Sequence, residues 1–416
     1  MGKYSFDEMT LRRGTGCVKW DAASAAGPVP EDCIPMWVAD MDFKVAPAIT
    51  EALRKRVEHG IFGYTHVPES YFDSAVRWWE RRRGWHTEKE WYIPVDGIVP
   101  GMSIVVTALT KYRIDGNGEV VERENGGKGP GGELPKMIIQ SPAYNCFFST
   151  ARNCGCELVE NRLIYDCEGD MPTWYIDFED LEKKAADPMA KVLLFCNPHN
   201  PCGRVWPEED LRRVADICRR NDVVLVSDEI HCELEMPGWH FTPMGKIDQE
   251  NTITMNSPSK SFNIAGLEIS NIITSNPGWR KLIDRVINIW EHCDLNPFGV
   301  LALQAAYDEG EDWLKELNEY LYDNYKALVS YFEDVVPEIL VSKLEGTYLV
   351  WIDVRCLGMK STEIEKSLIE NEHVRLSPGE IYGRDGFMRI NIACPRTRLL
   401  QGLERIAKGF KRMMGK

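Results

Sequence analysis

Three polar side chains follow three short apolar runs in the middle of the chain. Asn200 comes after "KVLLFC", Asp228 closes "VVLVSD", and Lys260 lies in "NSPSKSFNIAGL", directly after "NTITM". Taken singly, Asn200 could shape a turn, Asp228 could cap a helix and Lys260 could be an exposed loop lysine. If the runs are parallel strands of one sheet, however, their carboxyl ends meet where such sheets bind ligands. The three together therefore favour one site with an amide, a carboxylate and an amine.

This trio matches what a pyridoxal phosphate cofactor requires. A lysine captures an aldehyde only when its amine is neutral, which needs burial or nearby positive charge. A buried carboxylate can keep a pyridine nitrogen protonated, and an amide can donate to a phenolate oxygen. The phosphate needs hydroxyl and backbone donors, which Ser257, Ser259 and a helix N-terminus predicted after "VDGIVPG" could supply. Tyr144, just past another strand end, could stack on the ring.

The elements around these residues predict an α/β fold. Continuous apolar runs such as "KMIIQS", "KVLLFC" and "DVVLVS" are typical of parallel strands covered on both faces. Between them, "EEDLRRVADICRRN" has helical spacing, with Leu211, Val214, Ile217 and Cys218 on one face. The pattern is that of repeated βαβ units. We expect a large domain with a mostly parallel sheet sandwiched by helices.

The last third of the chain predicts a smaller α+β domain. A long amphipathic helix over 312–336 is followed by the strand-like "TYLVWIDV", the helical "STEIEKSLIENE" and the strand-like "GFMRINIAC". We expect an N-terminal arm over 1–47 that joins the small domain, a large domain over 48–290 and a small domain over 291–416. The Gly-rich, charged segment 113–136 is interpreted as a mobile surface insertion that buries no core, although it could also be a lid.

Composition and charge narrow the class of protein. With 64 acidic and 49 basic residues the net charge is −15, which disfavours nucleic acid or an anionic membrane as partner. The basic "WWERRRGW" is interpreted as a solvated helix end. The N-terminus lacks a signal peptide and no apolar stretch is long enough to span a membrane. The 13 scattered cysteines are interpreted as reduced thiols of a cytoplasmic protein, with no metal site predicted.

Several motifs resemble one family across nearly the whole chain. The segments "NPHNPCGRVW", "VSDEIH", "SPSKSFNIAGL" and "RINIACPR" resemble, in order and spacing, the fold-type I pyridoxal-phosphate enzymes of the class I/II aminotransferase superfamily. "IPMWVADMDF" and "FGYTHVPESYFDSAVRWWERRRGW" resemble a narrower group, the MalY/PatB-type cystathionine β-lyases, or C–S lyases. Many aminotransferases of the superfamily carry an arginine about eight residues after the lysine. Here that region reads "NIAGLEIS", as in the β-lyase group.

The resemblance implies a role for each matched residue. Lys260 would bind the cofactor as a Schiff base and shuttle protons, Asp228 would face the ring nitrogen, Asn200 the 3-oxygen, and Tyr144 would stack on the ring. Arg389 would bind the substrate α-carboxylate. An arginine on a strand is more often part of a surface ion pair, but the apolar "FM" and "INIAC" around Arg389 favour the carboxylate role. The phosphate would be held by Ile98, Val99, Ser257, Ser259 and Tyr64, the last a catalytic candidate reaching across a homodimer with a shared site.

The expected reaction is β-elimination from cystathionine and related L-cysteine S-conjugates, giving a thiol, pyruvate and ammonia. This expectation depends on the resemblance, because Lys260, Asp228 and Asn200 serve an aminotransferase equally well. No second basic residue is evident for a distal carboxylate, so we expect several S-conjugates to be accepted. A pyridoxal-phosphate-binding regulator that contacts another protein is a further alternative. A nicotinamide dehydrogenase fits the α/β pattern but would need a G-x-G-x-x-G after a strand, which is absent.

Overall fold

The protein folds as an α/β structure with two main sheets and three two-stranded ones among the described residues. A computed structural model describes residues 2–25 and 27–416. One sheet has seven strands and is mostly parallel, and a second sheet has four strands and is antiparallel. The fold class predicted from the sequence is confirmed.

Helices and strands alternate through most of the described residues. The α-helices are α1 (Val18–Asp21), α2 (Pro47–His59), α3 (Glu69–Arg83), α4 (Ile98–Lys111), α5 (Asn145–Asn153), α6 (Phe178–Ala185), α7 (Glu208–Arg220), α8 (Met244–Ile247), α9 (Pro277–Ile289), α10 (Pro297–Glu309), α11 (Glu311–Val335), α12 (Ser361–Glu372) and α13 (Arg396–Met413). The strands are β1 (Ile34–Pro35), β2 (Tyr92–Val95), β3 (Tyr112–Ile114), β4 (Val120–Glu122), β5 (Lys136–Ser141), β6 (Glu157–Arg162), β7 (Ile164–Asp166), β8 (Thr173–Tyr175), β9 (Ala190–Cys196), β10 (Val224–Asp228), β11 (Thr252–Asn256), β12 (Ser270–Ile273), β13 (Leu340–Val341), β14 (Leu349–Asp353), β15 (Val374–Arg375), β16 (Ser377–Pro378) and β17 (Phe387–Asn391).

In the large sheet, the carboxyl ends of the central strands lie at the same edge. Its strand order is β2-β12-β11-β10-β9-β5-β6, and β12 is the strand that runs antiparallel to its neighbours. Asp228, at the end of β10, is in register with Cys196 of β9 and with Met255 of β11. The loops that carry Asn200 and Lys260 therefore begin at the same edge as Asp228.

Both faces of this sheet are buried. Val192 and Leu194 of β9 pack into one core with residues of α4 and α9, while Leu193 and Phe195 pack into another with residues of α6 and α7. Because successive side chains of a strand point to opposite faces, a strand covered on both sides needs an uninterrupted apolar run. That requirement explains why these strands could be predicted from the sequence.

The four-stranded sheet (β13-β14-β17-β16) holds the C-terminal third together, and the N-terminal residues lie against it. β1 pairs in parallel with β15, and Arg12 forms ion pairs with Asp40 (2.6 Å) and Asp42 (2.7 Å) that fix the arm. This arrangement accords with an arm that joins the small domain. The domain limits at residues 47 and 290 stay a prediction.

Two expectations about the surface are corrected. The segment 113–136 contains part of a β3–β4 hairpin, and its partly buried Ile114 and Val120 pack against the α4–α9 core, so it does contribute to a core. The basic "WWERRRGW" is not simply solvated, because the Arg83 side chain is 5% exposed and pairs with Glu233 (3.0 Å) and Glu235 (2.9 Å). No helix in the described part of the chain is long and apolar enough to cross a membrane.

Candidate active site

A cavity of about 710 Å³ lies at the carboxyl edge of the large sheet. Its floor comes from residues that follow β2, β5, β9, β10 and β11, and its walls come from the small domain and the N-terminal arm. Of the residues predicted from the sequence, the following line it: Ile98, Val99, Tyr144, Asn200, Asp228, Ser259, Lys260 and Arg389. No residue of 113–136 lines the cavity, so the structure gives no support to a lid there. A volume of this size suits a cofactor together with a small substrate.

Lys260 lies in the turn after β11, half-buried at the cavity wall. Its Nζ donates a hydrogen bond to the carbonyl oxygen of Ala39 (2.8 Å). Burial and, to a smaller extent, the charge of Arg389 lower the pKa of this amine from 10.5 to about 8, while Asp40 and Asp228 oppose the shift. A substantial fraction of Lys260 is thus uncharged near neutral pH, as aldehyde capture requires.

Asp228 is a buried carboxylate at the end of β10. Its Oδ1 accepts a hydrogen bond from the backbone N–H of Ile230 (3.1 Å), and it is 3% exposed. Burial raises the pKa of Asp228 to about 7, although the Ile230 N–H and the charge of Lys260 favour the ionised form. A carboxylate with so little compensation would be stabilised by a cationic group in the cavity, such as a protonated pyridine nitrogen. The buried Asp228 carboxylate therefore fits the ring nitrogen of pyridoxal phosphate.

Arg389 and Asn200 contact each other across the cavity. Arg389, on β17, is 4% exposed; its Nη1 donates to Asn200 Oδ1 (3.0 Å) and its Nη2 donates to the Trp37 carbonyl (2.9 Å). Among the described residues its polar contacts are the Asn200 amide and the Trp37 carbonyl rather than a carboxylate, and its buried Nε has no hydrogen-bond partner. A buried arginine without an anion is the expected binding group for a substrate carboxylate. Because Asn200 accepts through Oδ1, its Nδ2 is left to donate.

Tyr144 and Ile230 provide apolar walls around Asp228. Tyr144 precedes α5 and lies edge-on to Phe147, with ring centroids 6.4 Å apart. Burial raises the pKa of Tyr144 well above its usual value, so its phenol stays neutral. Both residues line the cavity, and an aromatic ring beside the carboxylate gives a flat cofactor a surface on which to stack.

The other end of the cavity is built from backbone. The first turn of α4, which begins at Ile98, leaves N–H groups free to bind an anion, and Ser259 lies nearby on the wall. The side chains of Asp96 and His292 contact each other there at 2.6 Å, and Glu268 also lines this cavity. No arginine other than Arg389 lines the cavity in the described residues. An anion here would be held mainly by N–H and hydroxyl groups.

Two predicted phosphate ligands do not line the cavity. Ser257 is 2% exposed; its Oγ donates to the Ile269 carbonyl (2.6 Å) and accepts from the Ser259 N–H (3.1 Å). It therefore shapes the turn that presents Ser259, rather than facing the cavity itself. Tyr64 is 95% exposed and lies beside Asp294 and Leu295, in a separate surface depression. Within one chain Tyr64 has no role at this site.

Two features of the site were missed by sequence reasoning. His231 lines the cavity, is 2% exposed and has no hydrogen-bond partner for Nδ1. Burial, together with the charges of Lys260 and Arg389, holds its pKa well below the usual range, so the ring is neutral. The carbonyl of Ala39 accepts from both Lys260 and Tyr348 Oη (3.0 Å). In the sequence, His231 was indicated only by its position three residues after Asp228. The Ala39 carbonyl was indicated only by the motif "IPMWVADMDF".

Comparison with known proteins shows which family the chain belongs to. Residues 135–406 match the family model "Aminotransferase class I and II". The chain is 35% identical to cystathionine beta-lyase PatB of Bacillus subtilis over 97% of its length and 98% of PatB, and 32% identical to protein MalY of Escherichia coli over 96% and 97%. The PLP-bound C-S lyase from Staphylococcus hominis has a TM-score of 0.85 and 33% identity, with 98% of this chain and 99% of that one covered. The family resemblance of the sequence motifs is thereby confirmed, and the chain belongs to the class I and II aminotransferase family, in the group of PatB and MalY.

Proposed function

We propose that this protein is a pyridoxal-phosphate-dependent carbon–sulfur β-lyase. Its substrates would be cystathionine and related L-cysteine S-conjugates, which it would convert with one water to a thiol, pyruvate and ammonia. The observation that carries the proposal is the near full-length similarity to PatB, which is named a cystathionine β-lyase, and to a PLP-bound C–S lyase. The cavity supports it with an amine of lowered pKa, a buried carboxylate and an unpaired buried arginine.

The chain's own residues would divide the work as follows. Bound pyridoxal phosphate would supply an aldehyde for amine capture and a ring that accepts electrons from the substrate α-carbon. Arg389 would bind the substrate carboxylate through its free N–H groups, and Asn200 Nδ2 would be the donor for the 3-oxygen of the ring. The Asp228 carboxylate would be the partner of the ring nitrogen. Lys260 Nζ would be the base for the proton on the substrate Cα, and the sulfur substituent would leave Cβ as a thiolate.

Pyruvate release is the test of this proposal. We expect a yellow protein whose visible band requires Lys260, and rapid pyruvate formation from L-cystathionine. The Lys260→Ala variant should lose both the band and pyruvate formation, while Lys281→Ala, which changes an exposed lysine outside the cavity, should keep both. Glutamate-dependent turnover of keto acids measured in parallel tests the aminotransferase alternative. Fast amino transfer without pyruvate would make the protein an aminotransferase.

A homodimer with a shared site is part of the proposal. The segment around Tyr64 exposes several large apolar side chains, with Val57 56%, Ile61 65% and Phe62 54% exposed. Several exposed apolar side chains within one short segment are typical of an interface, and a second copy would bury them. We propose that Tyr64 then reaches the phosphate end of the partner's cavity. A regulatory protein partner on the same surface is the alternative to a second copy.

Mixed dimers test the shared site. Chains carrying Tyr64→Ala and chains carrying Lys260→Ala each lack one group in both sites of their own dimers, and activity is measured at a pyridoxal phosphate concentration too low to load the Tyr64→Ala sites. If Tyr64 acts across the interface, half the mixed molecules should each have one intact site, and activity should recover to about a quarter of wild type. If Tyr64 acts within its own chain, mixing should restore nothing. A regulator that binds this surface instead would leave the protein monomeric at all concentrations.

Partners and location complete the proposal. The net charge of −15 favours small amino acids over nucleic acid as binding partners. None of the 13 cysteines forms a disulfide, which supports a reducing compartment and therefore the cytoplasm. Cell fractionation with an antibody to the protein would test the location.

A further inference from the structure

The wall beside Arg389 is formed by uncharged side chains. Trp37 and Val38, which follow β1, and Ser377, Ile381 and Tyr382, which precede β17, line the cavity together with Arg389. The Tyr382 ring is 4.8 Å from the Arg389 guanidinium carbon, and Ser377 is directly opposite Arg389 in the β16–β17 pair. Apart from Arg389 itself, this part of the wall contributes no charged side chain among the residues that the structure describes.

This wall is fixed to the carboxylate-binding group. The Trp37 carbonyl accepts hydrogen bonds from Arg389 Nη2 (2.9 Å) and from Ser377 Oγ (2.9 Å). The Trp37 indole donates to the Lys19 carbonyl (3.1 Å), and the Arg375 guanidinium carbon stacks 3.7 Å from its ring. Arg375 pairs with Glu365 (3.2 Å) and does not line the cavity, so its charge is not available to a ligand.

The position of this wall determines which part of a substrate it contacts. In an L-cysteine S-conjugate only Cα and Cβ separate the carboxylate from the sulfur. When Arg389 binds the carboxylate, the sulfur substituent must therefore begin close to Arg389. The other basic side chains that line the cavity have partners of their own, because Lys260 donates to the Ala39 carbonyl and His292 contacts Asp96.

We infer that this wall selects L-cysteine conjugates whose sulfur substituent is uncharged and apolar, and that cystathionine is a poorer substrate. This inference rests on the proposed β-lyase function. Cystathionine carries an ammonium and a second carboxylate on its far side, and both lose water at a wall that offers no opposite charge in return. An apolar substituent gains from the same contact, because apolar surface leaves water.

The specificity constants for two conjugates test the inference. S-benzyl-L-cysteine and L-cystathionine both yield one pyruvate per C–S bond cleaved, so one assay compares them. We expect kcat/KM for the benzyl conjugate to exceed that for cystathionine by about tenfold or more. If neither substrate releases pyruvate, the proposed lyase function fails. If both are cleaved and cystathionine is equal or better, the lyase function stands and the inference is wrong.

A designed gain of cystathionine turnover tests the wall itself. Ile381 lines the cavity and is 45% exposed, so Ile381→Lys adds a cation without burying it. We expect this variant to move the ratio of the two specificity constants toward cystathionine by about fivefold, because the ammonium can pair with the distal carboxylate. Ile381→Met, which matches lysine in length but not in charge, should not move the ratio toward cystathionine. Leu400→Lys adds the same charge on α13 outside the cavity and serves as the control for net charge.

The two variants at residue 381 also decide between charge and shape. An equal shift in Ile381→Lys and Ile381→Met would mean that side-chain shape, not the lack of a cation, sets the preference, and would overturn the inference. A shift in Leu400→Lys as large as that in Ile381→Lys would do the same, since it would show a general electrostatic effect.

Discussion

The two ends of the cavity are built on different principles. At the carboxylate end, Arg389 is 4% exposed and already hydrogen-bonded to Asn200 and to the Trp37 carbonyl, all within one chain. At the phosphate end, where we propose that the cofactor phosphate binds, α4 offers backbone N–H groups, Glu268 is exposed, and the His292 side chain is 42% exposed. The first end is preorganised by the fold of the single chain. The second end is open, and it carries the carboxylate of Glu268, eight residues after Lys260.

This difference indicates which groups provide the binding energy for the substrate carboxylate and which provide it for the cofactor phosphate. A rigid, desolvated guanidinium recognises a carboxylate strongly because its geometry is set before the ligand arrives. The N–H groups of a helix N-terminus carry only partial charges, so they bind a dianion more weakly and need additional donors. We propose that the second copy supplies them through Tyr64. Substrate recognition would then belong to the chain and cofactor retention to the dimer.

The largest effect is expected at the carboxylate end. Arg389→Ala should lower kcat/KM for pyruvate release by about a thousandfold, since it removes one partner of a buried charged pair. Arg389→Lys should recover only a small part of this, because lysine keeps the charge without the two-pronged geometry. The control is the dissociation constant of pyridoxal phosphate, which should change by less than about threefold. An equal loss of cofactor affinity would show that the two ends are not independent.

The charge of Arg389 should also act on the amine of Lys260. A lysine whose pKa is lowered is neutral above that pKa, so capture of pyridoxal phosphate by the apoprotein should accelerate with pH and level off above about 8, rather than above 10.5. At pH 8 this is an advantage of about a hundredfold over an unperturbed amine. In Arg389→Ala the midpoint should move upward, because one cause of the lowering is gone. Nα-acetyl-lysine under the same conditions provides the reference, and a protein midpoint near that reference would contradict the prediction.

The placement of Asn200, Asp228, Lys260 and Arg389 at one cavity was largely predictable from the sequence. Asn200, Asp228 and Lys260 follow apolar runs that had to be strands buried on both faces, and parallel strands align their carboxyl ends. Arg389 was marked by apolar neighbours on both sides. These predictions depended on local patterns and on one rule of sheet geometry.

What could not be predicted depends on contacts between distant segments. Arg83 was interpreted as solvated because its carboxylate partners, Glu233 and Glu235, are about 150 residues away. Ser257 was interpreted as a phosphate ligand because the sequence does not show that its hydroxyl donates to Ile269. The use of the Ala39 carbonyl by Lys260 joins residues 221 positions apart. Contacts between residues so far apart in the chain leave no local pattern in the sequence.

A smaller effect is expected from Tyr64 at the phosphate end. Tyr64→Phe should weaken pyridoxal phosphate binding by about tenfold, since it removes one hydrogen bond to a charged group. Because Tyr64 is 95% exposed in the single chain, the substitution should leave the free energy of unfolding of the apoprotein nearly unchanged. Equilibrium dialysis of the cofactor and urea unfolding of the apoprotein measure the two quantities. An unchanged dissociation constant would remove Tyr64 from the phosphate end and leave that end to one chain.

The smallest effect should come from Glu268, and its sign is the informative part. Glu268 is exposed and lines the cavity that would receive the phosphate, so its charge should oppose the dianion, weakened by solvent and salt. Glu268→Gln keeps the size of the side chain and the backbone conformation (φ +51°), and should tighten cofactor binding by about threefold at low salt. The gain should shrink as ionic strength rises, because an exposed charge is screened. Glu168→Gln makes the same change on the surface away from the cavity and should not alter the affinity. If Glu268→Gln instead loosens the cofactor, the carboxylate must be accepting a hydrogen bond that orders the phosphate end, and the contrast between a preorganised end and an open one would no longer hold.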